Sequence, residues 1–175
     1  MICLVNNLNI QYNLPSNLKI LDCRNNQITS LDNLPPNLEI LKCSKNYITN
    51  LDNLPPTLKE LYCCQNKITS LDNLPSKLEV LYCYNNKITS LDNLPTTLII
   101  LYCWQNQIIS LDNLPPNLIE LCCINNKITI LNNLPPKLEA LYCIGNPLKY
   151  DFESTLENIR NYNASRMLAI HKYKN

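Results

Sequence analysis

A cysteine stands at positions 23, 43, 63, 83, 103, 123 and 143, one in every twenty residues. A thiol recurring at a fixed interval can ligate metal, form disulfides, sense oxidation or simply fill a core as a small apolar side chain. Zinc-type ligation finds little support, because no Cys-x-x-Cys pair occurs and a linear stack does not set four sulfurs tetrahedrally about an ion. Disulfides between adjacent copies are permitted by distance. The opening residues MICLVNNLNIQ, however, lack the basic start of a secretion signal, so a reducing compartment and free thiols are expected. The favoured reading is an internal stack of core cysteines, with disulfide and metal use as the alternatives. Cys64 and Cys122 fall outside the column. They are read as outward-facing, either as reactive thiols or as small surface side chains.

A second column carries carboxylates at Asp32, Asp52, Asp72, Asp92 and Asp112, ending at Asn132. Such a row suits a hard cation such as Ca²⁺. The alternative, preferred here, is a series of aspartate turns whose side chains accept backbone N–H groups ahead of each Leu-Pro. Other chemistry lacks raw material. His171 is the only histidine, which leaves almost nothing for Ser-His-Asp catalysis or histidine metal sites. Gly145 is the only glycine, which excludes nearly all glycine-rich phosphate loops. A net charge of +1, with basic and acidic residues interspersed, offers no broad face for nucleic acid and no polybasic membrane anchor. The longest apolar run, 98–104, is too short to cross a bilayer. Neither an enzyme nor a cofactor is expected. The sequon Asn163-Ala-Ser165 carries little weight in a chain expected to stay in a reducing compartment.

The elements that position these columns follow from the repeat itself. Leucine fills 18 to 138 and 21 to 141, asparagine 26 to 146 and isoleucine 28 to 128, each at the same interval, with Leu148 closing the isoleucine series. Leu34 to Leu134 each precede a proline. The unit is LxxLxCxxNxI followed by xxLDNLPP. An eroded first copy is read in Cys3, Asn6, Leu8, Leu14 and Pro15, with no gap or insertion. Segments such as Leu41-Lys42-Cys43 alternate in and out with the period of a strand. The proline-bearing return excludes a helix interior and suits an extended or polyproline-like path. A single coil cannot bury enough apolar surface to fold alone, so the copies must stack around a shared core. Eight coils give a parallel sheet ~35 Å wide.

The unit resembles the leucine-rich repeat, LxxLxLxxNxL, with cysteine in place of the third leucine. The resemblance covers residues 1–150, about eight coils. It implies a solenoid with a concave parallel sheet and extended convex returns without helices. It also implies an asparagine ladder from Asn26 to Asn146 along the bend after each strand, a use that fits a side chain able both to donate and to accept. The twenty-residue length and the recurrent LPP are similar to the short repeats of secreted bacterial effectors. Low glycine with high Asn, Ile, Tyr and Lys suggests an AT-rich genome such as that of a giant DNA virus. Location in the cytoplasm is expected, that of a host if the protein is viral or an effector. Effectors of this kind often carry a helical leading segment or a C-terminal ubiquitin ligase domain. The resemblance reaches only the scaffold, and no ligase activity follows.

Beyond Asn146-Pro147-Leu148 the pattern stops. Phe152, Leu156, Ile159 and Tyr162 then recur with helical spacing, so residues 151–175 are read as one or two short helices and a tail capping the last coil. No comparable helix covers the N-terminal end, which leaves self-association through that end open.

With the core columns assigned, specificity must reside in the outward columns. One reads Asp22, Lys42, Tyr62, Tyr82, Tyr102, Cys122, Tyr142, and the other Arg24, Ser44, Cys64, Tyr84, Trp104, Ile124, Ile144. Aromatic side chains bury large areas and keep a polar handle, which suits binding hot spots. The expected function is therefore a non-enzymatic scaffold that binds a partner protein through its concave face. Tyr62, Tyr82, Tyr84, Tyr102, Trp104 and Tyr142 serve as anchors, with Arg24, Lys42 and Lys45 as a polar flank. Two alternatives stand beside this reading: aromatic stacking that only stabilises the sheet, and a thiol protein that binds metal or senses oxidation.

Overall fold

The computed structural model describes residues 2–4 and 14–172, with side chains described from residue 14 to residue 166. Eight three-residue strands follow one another: β1 (Ile2–Leu4), β2 (Ile20–Asp22), β3 (Ile40–Lys42), β4 (Glu60–Tyr62), β5 (Val80–Tyr82), β6 (Ile100–Tyr102), β7 (Glu120–Cys122) and β8 (Ala140–Tyr142). They form one parallel sheet in chain order. This is the leucine-rich-repeat solenoid, with one helix, α1 (Leu156–Lys172), after the last coil.

The strands are short because each leucine-bounded segment ends where the chain must turn. Two tight features bend every coil. Just past each strand a residue takes the left-handed backbone conformation, from Asn25 (φ 58°) through Gln65 (54°) and Asn125 (53°). The asparagine of each LDN takes it again, from Asn33 (61°) to Asn133 (52°). Asparagine tolerates this region better than other side chains, which accounts for its abundance. A β-turn then follows in which the carbonyl of Pro35 accepts the Leu38 N–H at 3.2 Å, repeated through Pro135 and Leu138. The described convex returns are thus extended segments broken by two tight turns, without helix.

The core is one continuous column set. Leu38, Leu41, Cys43 and Ile48 are each 0% exposed, as are their counterparts in the following coils through Ile128. The asparagine ladder closes the bend: Asn46 Nδ2 donates to the Cys23 and Cys43 carbonyls at 3.0 and 2.9 Å, while its Oδ1 accepts the Ile28 N–H at 3.0 Å. Asn66, Asn86, Asn106 and Asn126 repeat this arrangement. Each side chain therefore bridges two coils and satisfies three backbone groups that no strand partner reaches.

Two expectations need correction. The first copy is not in step with the rest: Ile2 pairs with Ile20 and Cys3 with Leu21, so β1 precedes β2 by 18 residues rather than 20. A slip of two preserves the in–out alternation, which is why the sheet tolerates the shorter return. Cys3 accordingly falls in register with the leucine column, not the cysteine column. Asn6 and Leu8, also assigned to that copy, lie outside the described residues. At the other end Phe152 is not on the cap helix, which begins at Leu156 after Thr155 accepts the Asn158 N–H as its N-cap. Phe152 instead stacks on Tyr150 (centroids 4.8 Å) and lies 5.4 Å from the Tyr162 ring. The helix still covers the core, since Ile159 is 0% exposed. Arg160 donates to the Leu138 carbonyl at 2.7 Å and Asn163 to that of Leu131 at 2.8 Å.

Candidate functional site: the concave face of the sheet

Because a three-residue strand turns its middle residue inward, the residue just before each core cysteine points out and sits beside its equivalents on the neighbouring strands. The register places Lys42 beside Tyr62, Tyr62 beside Tyr82 and Tyr82 beside Tyr102. The Tyr62 and Tyr82 rings stack with centroids 5.0 Å apart, and the Tyr102 ring packs on Tyr82 at 4.7 Å, tilted by 40°. A second row lies alongside, where Tyr84 and Trp104 stack at 4.2 Å with planes 11° apart. All five rings are partly exposed. At the N-terminal side, the Lys42 ammonium lies 5.5 Å from the Tyr62 ring centre. A polar hollow of about 360 Å³ opens there between Arg24, Lys42, Lys45, Tyr62, Tyr82 and Tyr84.

The cationic flank is uneven. Arg24 is clamped to Asp22 by two hydrogen bonds of 2.9 and 2.7 Å, and this partner holds the Asp22 carboxyl below its ordinary range. Among the described residues Lys42 and Lys45 form no ion pair, so they present the available positive charge. Tyr142 is separated from the cluster. Cys122 lies between it and Tyr102 in the register, and Tyr142 stands 48% exposed on the last strand.

Two glutamates complete the site and were not among the residues singled out from sequence. The Tyr62 hydroxyl donates to Glu60 at 2.9 Å, and that of Tyr102 donates to Glu120. Burial, with the Glu60 bond second, pushes the Tyr62 phenol up to about 12. The bond to Glu120 is the main cause that raises Tyr102. The missed signal was strand parity: Glu60 is two residues before Tyr62 and therefore shares its face. These bonds tie the hydroxyls of Tyr62 and Tyr102, the two outer rings of the row.

Cys64 and Cys122 are not surface thiols. They are 2% and 6% exposed, because a small side chain in an outward column is overhung by larger neighbours. Cys122 lies between Tyr102 and Tyr142 in the register. Cys64 points its sulfur at the Tyr82 carbonyl, 3.2 Å away. The cysteine column itself is buried from Cys23 to Cys143, and no described cysteine is bonded to another. Burial raises these thiols, Cys23 to about 12 and Cys43, Cys63 and Cys83 well above the ordinary value. They are protonated and poor nucleophiles at neutral pH.

The aspartate row also differs from expectation. Except at Asp52, where the Asn50 Oδ1 accepts the aspartate N–H, its carboxylates accept the hydroxyl of the serine two residues earlier, as in Ser70 to Asp72 at 2.5 Å and Ser90 to Asp92 at 2.6 Å. In return that serine oxygen accepts the aspartate N–H. The turn is closed by serine, not by the carboxylate. Among the described residues no group of three or more His, Cys, Asp or Glu side chains is placed to hold a metal ion. Nor, among them, is any helix long and apolar enough to cross a membrane.

The comparisons agree with this geometry. The family profile for leucine-rich repeats (2 copies) matches residues 16–56 and 56–96. The fold is similar to YopM from Yersinia enterocolitica WA-314, with 37% identity and a TM-score of 0.75 over 82% of this chain and 32% of that one. It is similar to the leucine-rich-repeat domain of a Shigella effector, with 36% identity and a TM-score of 0.66 over 73% of this chain and 58% of that one. It is also similar to the functional domain of InlJ from Listeria monocytogenes, described as including a cysteine ladder. There the identity is 34% and the TM-score 0.73, over 90% of this chain and 37% of that one. No curated protein sequence gives a match. The chain is a leucine-rich-repeat protein of the short-repeat kind found in bacterial effectors. It spans about a third of YopM and InlJ and over half of the Shigella domain. Folds of this class serve in general as scaffolds for protein–protein interaction.

Proposed function

We propose that the protein is a non-enzymatic scaffold that binds a partner protein on its concave face. The two packed aromatic rows carry this reading: Tyr62, Tyr82 and Tyr102 in one, Tyr84 and Trp104 in the other. Partly exposed aromatic rings held rigid by stacking and by tied hydroxyls lose little conformational freedom on binding, which is what makes such residues hot spots. Lys42 and Lys45 supply a cationic margin that selects acidic groups on the partner. Tyr142, isolated beyond Cys122, lies outside this patch, and Arg24 contributes through its clamped pair with Asp22.

The cysteine column is structural in this reading, a ladder of reduced thiols in a protein that works in a reducing compartment. InlJ's cysteine ladder is the parallel. The test compares wild type with a Tyr82→Ser/Tyr102→Ser/Trp104→Ser variant of unchanged thermal unfolding, each used to capture proteins from cell lysate. A partner held by wild type and lost by the variant supports the face. Equal capture by a control variant altered on the convex turns, Asp72→Ala/Asp92→Ala, is required. Loss with the convex control but not with the aromatic variant overturns the assignment.

A further inference from the structure

The C-terminal end of the sheet is capped on one side only. Helix α1 lies over the return of the last coil, through Ile159 and through Arg160 and Asn163, which bond the carbonyls of Leu138 and Leu131. It occupies the place of a ninth coil's return. The place of a ninth strand, beside β8, stays open. In every described coil from the second onward the N–H groups just after the strand donate to the next coil, as Cys123 does to Tyr142 and Asn125 to Ile144. The carbonyl just before the strand accepts from the next coil, as that of Ile119 does from Glu139 and Ala140. Among the described residues the equivalent groups of the last coil, the Cys143 and Gly145 N–H and the Glu139 carbonyl, have no partner.

The side chains around these groups form a slot. Leu141 is only half buried where its counterparts from Leu21 to Leu121 are 0–1% exposed, and Ile144 is 80% exposed. With Leu148 and Leu156 they line a hollow of about 680 Å³ whose rim carries Glu139 and Glu153. Among the described residues neither glutamate has a cationic partner.

We propose that this slot accepts one extended strand of a partner polypeptide, added to β8 as a ninth strand. The unpaired donors and acceptor require a strand rather than a helix. Because α1 stands where a further return would go, the occupant is a single segment and not a stacked coil of a second copy. Two glutamates on the rim select a segment with basic residues flanking an apolar one, the apolar side chain entering between Leu141 and Leu156.

The probe is a short fluorescent peptide that alternates leucine and threonine and carries a lysine at each end, beside the same peptide with its central amides N-methylated. Binding is read by fluorescence polarisation, and its site by amide hydrogen exchange of the wild-type protein. The expected result is saturable binding of the first peptide, abolished by N-methylation, with the Cys143 and Gly145 amides slowed at least ~10-fold. Glu139→Gln/Glu153→Gln, two exposed positions that leave the backbone groups in place, weakens it roughly two- to fivefold. Absence of binding, equal binding of the methylated peptide, or protection at Tyr82 and Trp104 instead overturns the proposal. So does protection that appears without peptide and grows with protein concentration, which would assign the slot to a second copy. Failure here leaves the concave face untouched, since that site is read by a different variant and a different partner.

Discussion

The asparagine of each coil carries more backbone than any other side chain in the molecule. Asn106, buried at 8% exposure, donates to the Cys83 and Cys103 carbonyls and accepts the Ile88 N–H. Asn106→Ala leaves the buried Ile88 N–H unpaired, at about 1–3 kcal/mol, while the two carbonyls keep Asn86 and Asn126 as donors. Urea unfolding is therefore expected to show a loss of about 1–3 kcal/mol, and no measurable loss would refute the role. The cysteines make a complementary prediction in alkaline solution. Unfolded thiols ionise near pH 8.5, whereas burial keeps Cys43, Cys63 and Cys83 protonated well beyond their ordinary range. Above that pH the unfolded chain binds fewer protons than the fold. Stability present below the unfolded value is thus lost as pH rises, at about 1.4 kcal/mol per pH unit for each buried thiol. Urea midpoints measured under reducing conditions from about pH 8 to about pH 10 should fall steeply, and a flat profile would place the thiols in contact with water. Sequence spacing made the buried column legible at this scale. It misplaced Cys64 and Cys122, because parity along a strand says which way a side chain points and not whether larger neighbours overhang it.

Strand, turn and cap each followed a different signal. Strand positions were legible because leucine and cysteine alternate around one outward residue, and the turns because asparagine and proline sit where the backbone needs them. The aspartates were harder. A carboxylate can close a turn itself or serve as acceptor for a serine that does, and only the positions of Ser30, Ser70, Ser90 and Ser110 decide between these. The first coil was misjudged because a two-residue slip keeps the alternation and leaves Cys3 looking like a member of the wrong column. The cap was legible as apolar residues at helical spacing, yet Phe152 satisfies that spacing from outside the helix through its stacking on Tyr150. Among the described residues of α1, Ile159 is the fully buried apolar one, with Leu156 packed beside it. Ile159→Ala should cost about 2–4 kcal/mol. In a solenoid whose coils contact only their neighbours, that loss should appear in hydrogen exchange as faster exchange in the last coil, with amides of the fourth coil unchanged. Uniform acceleration through all coils would contradict this local role.

At the scale of the molecule, the repeat spends nearly all of its sequence on the core, the ladder and the turns. On the sheet, what differs between coils lies at the outward positions of the strands, and there the chain grades from Asp22, Arg24 and Lys42 through a block of packed rings to the isolated Tyr142. Sequence columns revealed that gradient but not the glutamates that tie the rings, nor the break at Cys122 that detaches Tyr142. The central claim is that partner contact falls on this graded face and not on the convex turns. Site-specific photocrosslinking tests it most directly, with benzoylphenylalanine placed at Tyr84 in one protein and at Asp92 in another, each irradiated in living cells. The account predicts a discrete higher-mass adduct from position 84 and none from position 92. An adduct from position 92, with none from position 84, would contradict it.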